Sequence, residues 1–121
     1  MRHGRLNRVA RAPAREELRG TSWPGVDGLD PVLGHRVRLG ICVLLASVEG
    51  LTFARMKELL DETDGSLGAN LKSLEESGYL IVDREFDSRR PVTSYKLSAI
   101  GRHTLSLHLK TLGRLIDIAG R

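Results

Sequence analysis

Between Leu51 and Arg102 the chain runs through four short elements in an order that leaves few folds open. Phe53, Met56, Leu59 and Leu60 recur at helical spacing and mark the expected buried face of a helix, and Thr63-Asp64-Gly65 then interrupts the pattern with turn-forming residues. Leu67, Leu71 and Leu74 restart it, with Thr63 or Asp64 as the cap, and Ser77-Gly78 stops it. After Tyr79 and Ile81 comes an extended run through Val82–Phe86, a polar tip at Asp87-Ser88-Arg89-Arg90-Pro91, and a return run Val92–Leu97. Together these predict two helices joined by a tight turn, with a basic β-hairpin at their side.

The flanks supply one helix on each side. Asp30-Pro31 reads as a capped start, and Val37, Ile41, Leu44, Leu45 and Val48 predict a helix from about Val32 to Val48, stopped by Glu49-Gly50. Leu51-Thr52 supplies a brief strand or an N-cap. Ser98 caps a last helix reaching to about Ile118, with Leu105, Leu109, Leu112 and Ile116 in an a/d stripe. That stripe is expected to be a dimer seam, packing on its own domain being the alternative. Two segments follow: 1–29, a basic Arg/Gly/Pro-containing arm expected to be flexible, and 30–121, the folded domain with its C-terminal helix. Within the arm, Trp23 is the one residue suited to docking on the body.

Charge divides along the same line. Of the net +4, residues 1–19 carry the whole surplus, with six arginines against Glu16 and Glu17; thirteen basic and thirteen acidic side chains follow and cancel. Any attraction of the body for phosphate therefore rests on arrangement and not on bulk charge. No apolar run approaches the ~20 residues of a membrane span, and a soluble, unexported, cytoplasmic chain is expected. The single Cys42 lies in an apolar run and reads as a buried thiol. His103 and His108 are five apart, not on one helical face, so no metal site is expected. A phosphate-cradling Gly-rich loop, a nucleophile with an evident base and a desolvated carboxylate pair are all missing from the sequence, and neither catalysis nor a cofactor is expected.

With Leu67, Leu71 and Leu74 turned inward, the helix after the turn exposes Ser66, Gly68, Ala69, Lys72, Ser73 and Glu76, with Asn70 at the border. Such a helix fits the major groove of B-DNA, about 12 Å wide. Ser66 and Asn70 suit base edges, Lys72 a guanine edge or a phosphate, and Ala69 a thymine methyl. Thr52 and Ser66 stand at helix starts, which favour phosphate. Asp61, Glu62 and Asp64 crowd the same turn and oppose it. Arg89 and Arg90 at the hairpin tip, with Arg84 and Lys96 on its strands, are placed to enter a narrow minor groove.

These residues resemble the winged-helix DNA-binding domain of small bacterial transcriptional regulators, close to the MarR and ArsR groups. The resemblance runs from Asp30 to about Leu112, two thirds of the chain. It rests on Arg38-Leu39 with Ile41 and Leu45, on Leu51-Thr52-Phe53 with Leu59, and on Thr63-Asp64-Gly65-Ser66-Leu67 with Leu71, Leu74, Glu75 and Gly78-Tyr79. Arg89-Arg90-Pro91 with Thr93, Tyr95 and Leu97-Ser98-Ala99-Ile100-Gly101-Arg102 completes it. It implies a mainly α fold with a small β-hairpin, a winged helix-turn-helix plus a C-terminal dimerisation helix. It also implies a homodimer that sets one helix in the major groove of double-stranded DNA with the wing beside it. Ser66, Gly68 and Asn70 depart from the family's usual reading residues, so the target site is expected to differ from its relatives'. The alternative is a winged-helix protein-interaction module with weak or no DNA binding.

Overall fold

The computed structural model describes Trp23 and residues 25–120. Most of the expected basic arm lies outside the described residues; Trp23 is exposed. The described residues form four α-helices and one three-stranded antiparallel sheet: α1 (Arg36–Ala46), β1 (Leu51–Thr52), α2 (Phe53–Leu60), α3 (Asp64–Glu76), β2 (Leu80–Asp87), β3 (Arg90–Leu97) and α4 (Ala99–Ala119). Strand order is β1-β3-β2. The expected mainly α fold with a hairpin is thus present, with β1 added as a third strand that pairs Leu51 with Tyr95 and Thr52 with Ser94.

The first helix is shorter than its periodicity predicts, and the reason is local. The Asp30 carboxylate accepts from the amides of Val32 and Leu33, at 3.1 and 3.2 Å, and tightens Val32–Gly34 into a 3-10 turn. His35 is extended, and its Nδ1 accepts from the Val37 amide at 3.2 Å, so the α-helix starts afresh at Arg36. At the far end Ser47 closes the helix and leaves Val48 exposed.

The core draws on every element. Leu33, Val37, Ile41, Cys42 and Leu45 meet Met56 of α2, Leu67, Leu71 and Leu74 of α3, Leu80 and Leu97 of the hairpin, and Leu105 of α4. The i, i+4, i+7 spacing on α3 holds as expected. On α2 the buried face is Phe53, Met56 and Leu60, whereas Leu59, expected inside, is 48% exposed because it falls about a quarter-turn off that stripe. Burial of the Cys42 thiol, reinforced by the charge of Asp30, pushes its pKa up to about 12, so it stays protonated and unreactive at neutral pH.

A polar knot fixes α4 to the rest. The Tyr79 hydroxyl donates to Asp30 Oδ1 at 2.8 Å, and the Asp30 amide donates to Nδ1 of the buried His108 at 2.9 Å. Burial, then the bond to Asp30, raises the Tyr79 pKa. Ser98 caps α4 by accepting from the Gly101 amide, and its hydroxyl donates to the Gly78 carbonyl. Gly101 is obligatory here, since a Cβ would overlap the Tyr79 carbonyl oxygen. No helix among the described residues is long and apolar enough to cross a membrane.

Candidate nucleic-acid interface

The turn between α2 and α3 is built by two caps and one left-handed residue. Thr52 Oγ1 accepts from the Arg55 amide and Thr63 Oγ1 from the Ser66 amide, at 3.2 and 3.1 Å. Asp61 closes α2 at φ 52°, a conformation that a short polar side chain tolerates. At its far end α3 finishes in a Schellman motif: Gly78, at φ 81°, donates to Glu75 O and Tyr79 to Leu74 O. That motif turns the chain straight into β2 and so holds the hairpin against α3.

Two acidic residues at the mouth of the turn are neutralised by partners. Glu62 lies 3.4 Å from Arg36, and Asp64 lies 3.0 Å from Lys57. Exposed pairs of this kind add little stability, roughly 0–1 kcal/mol, but they remove much of the repulsion the sequence suggests.

The outward face of α3 is formed by Gly65, Ala69, Lys72, Glu75 and Glu76, which are exposed, with Ser66, Gly68 and Ser73 half-buried. Asn70 differs from expectation. It is 8% exposed; its Oδ1 accepts from Arg38 Nη1 at 3.2 Å and its Nδ2 donates to the Ser66 carbonyl at 2.8 Å. Arg38 Nε in turn donates to the Val32 carbonyl at 2.6 Å. Asn70 therefore anchors α3 to α1 and is turned away from any groove. Arg38 is the residue that sequence reasoning missed in this role; an arginine four residues before a core cysteine, on the flank of an apolar helix, was the available signal.

The wing is tighter than the five-residue tip expected. Strand pairing continues to Asp87 opposite Arg90, leaving only Ser88-Arg89 as the turn. Both carry positive φ, 49° and 73°, the handedness that two-residue hairpins require. For side chains other than Gly or Asn this costs about 1–2 kcal/mol per residue. Pro91 is tolerated in β3 because β1 pairs only with Ser94 and Tyr95, so the strand has an open edge there. Arg89 and Arg90 are exposed. Arg84 reaches back 3.8 Å to Glu75 of α3, across a small cleft also lined by Gly68, Lys72 and Tyr95. On the opposite face of β2 a hydrogen bond that protonated Glu85 donates to Asp83, together with the Asp83 charge, raises the Glu85 pKa.

A larger cleft of about 780 Å³ separates the wing from the start of α2, lined by Thr52, Phe53 and Ala54 on one side and Ser88, Arg90, Pro91, Val92 and Thr93 on the other. Its floor is a helix N-terminus and its rim an arginine.

On α4, Leu105 belongs to the core at 3% exposure, so the expected stripe narrows to the half-buried Leu112 with the exposed Leu109 and Ile116. Leu112 lines an apolar groove with Val26, Leu29, Leu33 and Leu39. Among the described residues no three His, Cys, Asp or Glu side chains cluster as metal ligands. His35 and His108 are engaged in backbone hydrogen bonds.

Residues 37–116 match the family model of the winged helix DNA-binding domain. An uncharacterised protein of Methanocaldococcus jannaschii is 38% identical over 66 residues, which span 54% of this chain and 72% of that one. Among solved structures, a transcriptional regulator homologue from Pyrococcus horikoshii OT3 superposes with a TM-score of 0.67 at 29% identity, over 71% of this chain and 85% of its own. ZitR of Lactococcus lactis, a zinc-responsive MarR family member, shares the fold at a TM-score of 0.50 and 24% identity, over 68% of this chain and 58% of its own. The helix-turn-helix, the paired wing and these similarities agree: the chain belongs to the winged helix DNA-binding domain family and has the fold of MarR-type transcriptional regulators.

Proposed function

We propose that the chain is a homodimeric, sequence-specific regulator of transcription that sets α3 in the major groove of double-stranded DNA with the Arg89-Arg90 tip alongside. One observation carries this reading: the exposed face of α3 and the Arg-tipped wing lie side by side, braced by Arg84 and Glu75. Ser66, Ala69, Lys72 and Ser73 are the base-facing set. Thr52 contributes a hydroxyl proton beside the start of α2, where helix amides favour a phosphate. Arg89 and Arg90 supply the charge that neutralises the backbone, and Arg84 joins them if DNA draws it from Glu75. Asn70 supports the set from inside. Family membership points to a regulator and not to an enzyme.

The second copy is proposed to dock on α4. A helix of 21 residues with Leu109 and Ile116 exposed, beside the groove of Val26, Leu29, Leu33 and Leu39, offers an apolar face continuous with Leu112. A symmetric dimer would then present two α3 helices to half-sites about 10 bp apart.

Fluorescence polarisation on duplexes recovered from random sequence tests the proposal. Binding that is strongest near ~50 mM salt and falls steeply with added salt is expected. No binding even at low salt would sink it and favour a winged-helix module that meets another protein.

A further inference from the structure

The face that β2 turns toward the core continues past the core. Leu80, Val82, Arg84 and Phe86 alternate onto one side of the strand, opposite Leu97, Tyr95, Thr93 and Pro91 of β3. Leu80 and Leu97 are buried, Val82 and Tyr95 pack against the core, and Arg84 reaches Glu75. Phe86 comes next, beyond the reach of the core among the described residues. At 78% it is the most exposed large hydrophobic side chain among the described residues. Period-two alternation for a solvated hairpin end calls for a polar residue there, as at Asp83 and Glu85 on the other face.

We propose that Phe86 is an apolar wedge for DNA: its ring leans on a base step beside the wing and partly unstacks it. The inference rests on the DNA reading above and deepens it. Three observations choose the occupant. Phe86 is on the face of the wing turned toward α3, which is the side a duplex would occupy. It is one turn of hairpin away from Arg89 and Arg90, so a polyanion brought to the tip is brought to the ring. Its cross-strand partner Pro91 lines the cleft shared with Arg90 and the start of α2, so the apolar pair stands beside a recess with an arginine in its wall. A planar ring suits this role because every base presents a π-face, and apolar side chains that enter a step kink the duplex. Specificity follows without a hydrogen bond, since pyrimidine–purine steps unstack most easily.

The test uses the full chain and a duplex from the bound pool, with 2-aminopurine replacing each adenine in turn. The parent should brighten the probe at one step next to the half-site. Phe86→Ala should lose that signal and bind about ten-fold more weakly, while the salt slope stays unchanged because no phosphate contact is removed. Phe86→Thr, a strand former that preserves the hairpin, should behave alike, and thermal melting of both variants separates the effect from wing unfolding. Tight binding by the parent with no brightening at any position overturns the wedge and leaves the DNA reading intact; so do variants that keep both signal and affinity. A parent that retains no duplex overturns the DNA reading itself.

Discussion

On α3 the groups able to meet base edges are few and partly engaged inside the protein; on the wing the cations stand at the end of an extended arm. The carboxamide of Asn70 is spent on Arg38 and the Ser66 carbonyl, and the Ser66 amide is spent on Thr63. What α3 offers outward is small, namely Ser66, Ala69, Lys72 and Ser73. The wing instead carries Arg89 in a left-handed conformation that strains the backbone, followed by Arg90 and preceded by an uncovered Phe86. A surface that is rigid and sparse can discriminate bases while binding weakly. One that is charged and projecting can bind strongly with little discrimination. Under the proposed DNA reading, the contrast assigns affinity and base reading to different elements of one interface.

Removing the second copy should strike both surfaces at once. Leu109→Asp with Ile116→Asp alters two side chains already exposed in one copy, so the fold should survive while sedimentation shows monomers. Affinity for a two-half-site duplex should fall about a hundred-fold, the loss of linked binding. A variant that remains dimeric would place the seam elsewhere, for instance on the segment before α1.

Within α3 the comparison predicts a split. Lys72→Ala should lower affinity and shift the sequences recovered in a selection, since Lys72 is exposed on the reading face. Asn70→Ala should leave those sequences unchanged and cost about 1–2 kcal/mol of stability in denaturant titration, because Arg38 Nη1 loses its acceptor and the Ser66 carbonyl its side-chain donor. A changed base preference for Asn70→Ala with unchanged stability would return Asn70 to the reading set.

The smallest effect concerns the wing's acidic side. Glu85 holds its proton to higher pH than an ordinary glutamate because Asp83 bonds to it. As pH falls from neutrality, Glu85 should lose its negative charge early, and binding should strengthen. Glu85→Gln should raise affinity at neutral pH about two-fold and flatten that pH dependence, a size set by the screening of an exposed charge. Polarisation titrations between mildly acidic and neutral pH measure both.

Apolar spacing carried most of the fold into the sequence. Leu67, Leu71 and Leu74 predicted the inner face of α3, and Ser77-Gly78 its end, which the structure closes as a Schellman motif. Side chains that bond back to the main chain carried no such signal. The Asp30 carboxylate broke the first helix into a 3-10 turn, and His35 restarted it, through hydrogen bonds that no periodicity registers. Asn70 sits about a quarter-turn from Leu71 and about a sixth of a turn from Leu67, so a helical wheel leaves it on the border; only the position of Arg38, 32 residues earlier, decides that it is inside. Leu105 and Leu109 share one stripe by spacing, yet the body covers the first and leaves the second bare. Phe86 read simply as part of a strand, because alternation cannot say where the core ends.

The central claim, that the wing carries the electrostatic attraction, is tested most directly by the salt dependence of binding for the parent and for Arg89→Ala with Arg90→Ala. If both arginines neutralise phosphates, the slope of log affinity against log salt should become shallower by about 2, with the recovered base preference little changed. A slope identical to the parent's would show that the wing does not touch DNA and would contradict the division of labour proposed for α3 and the hairpin.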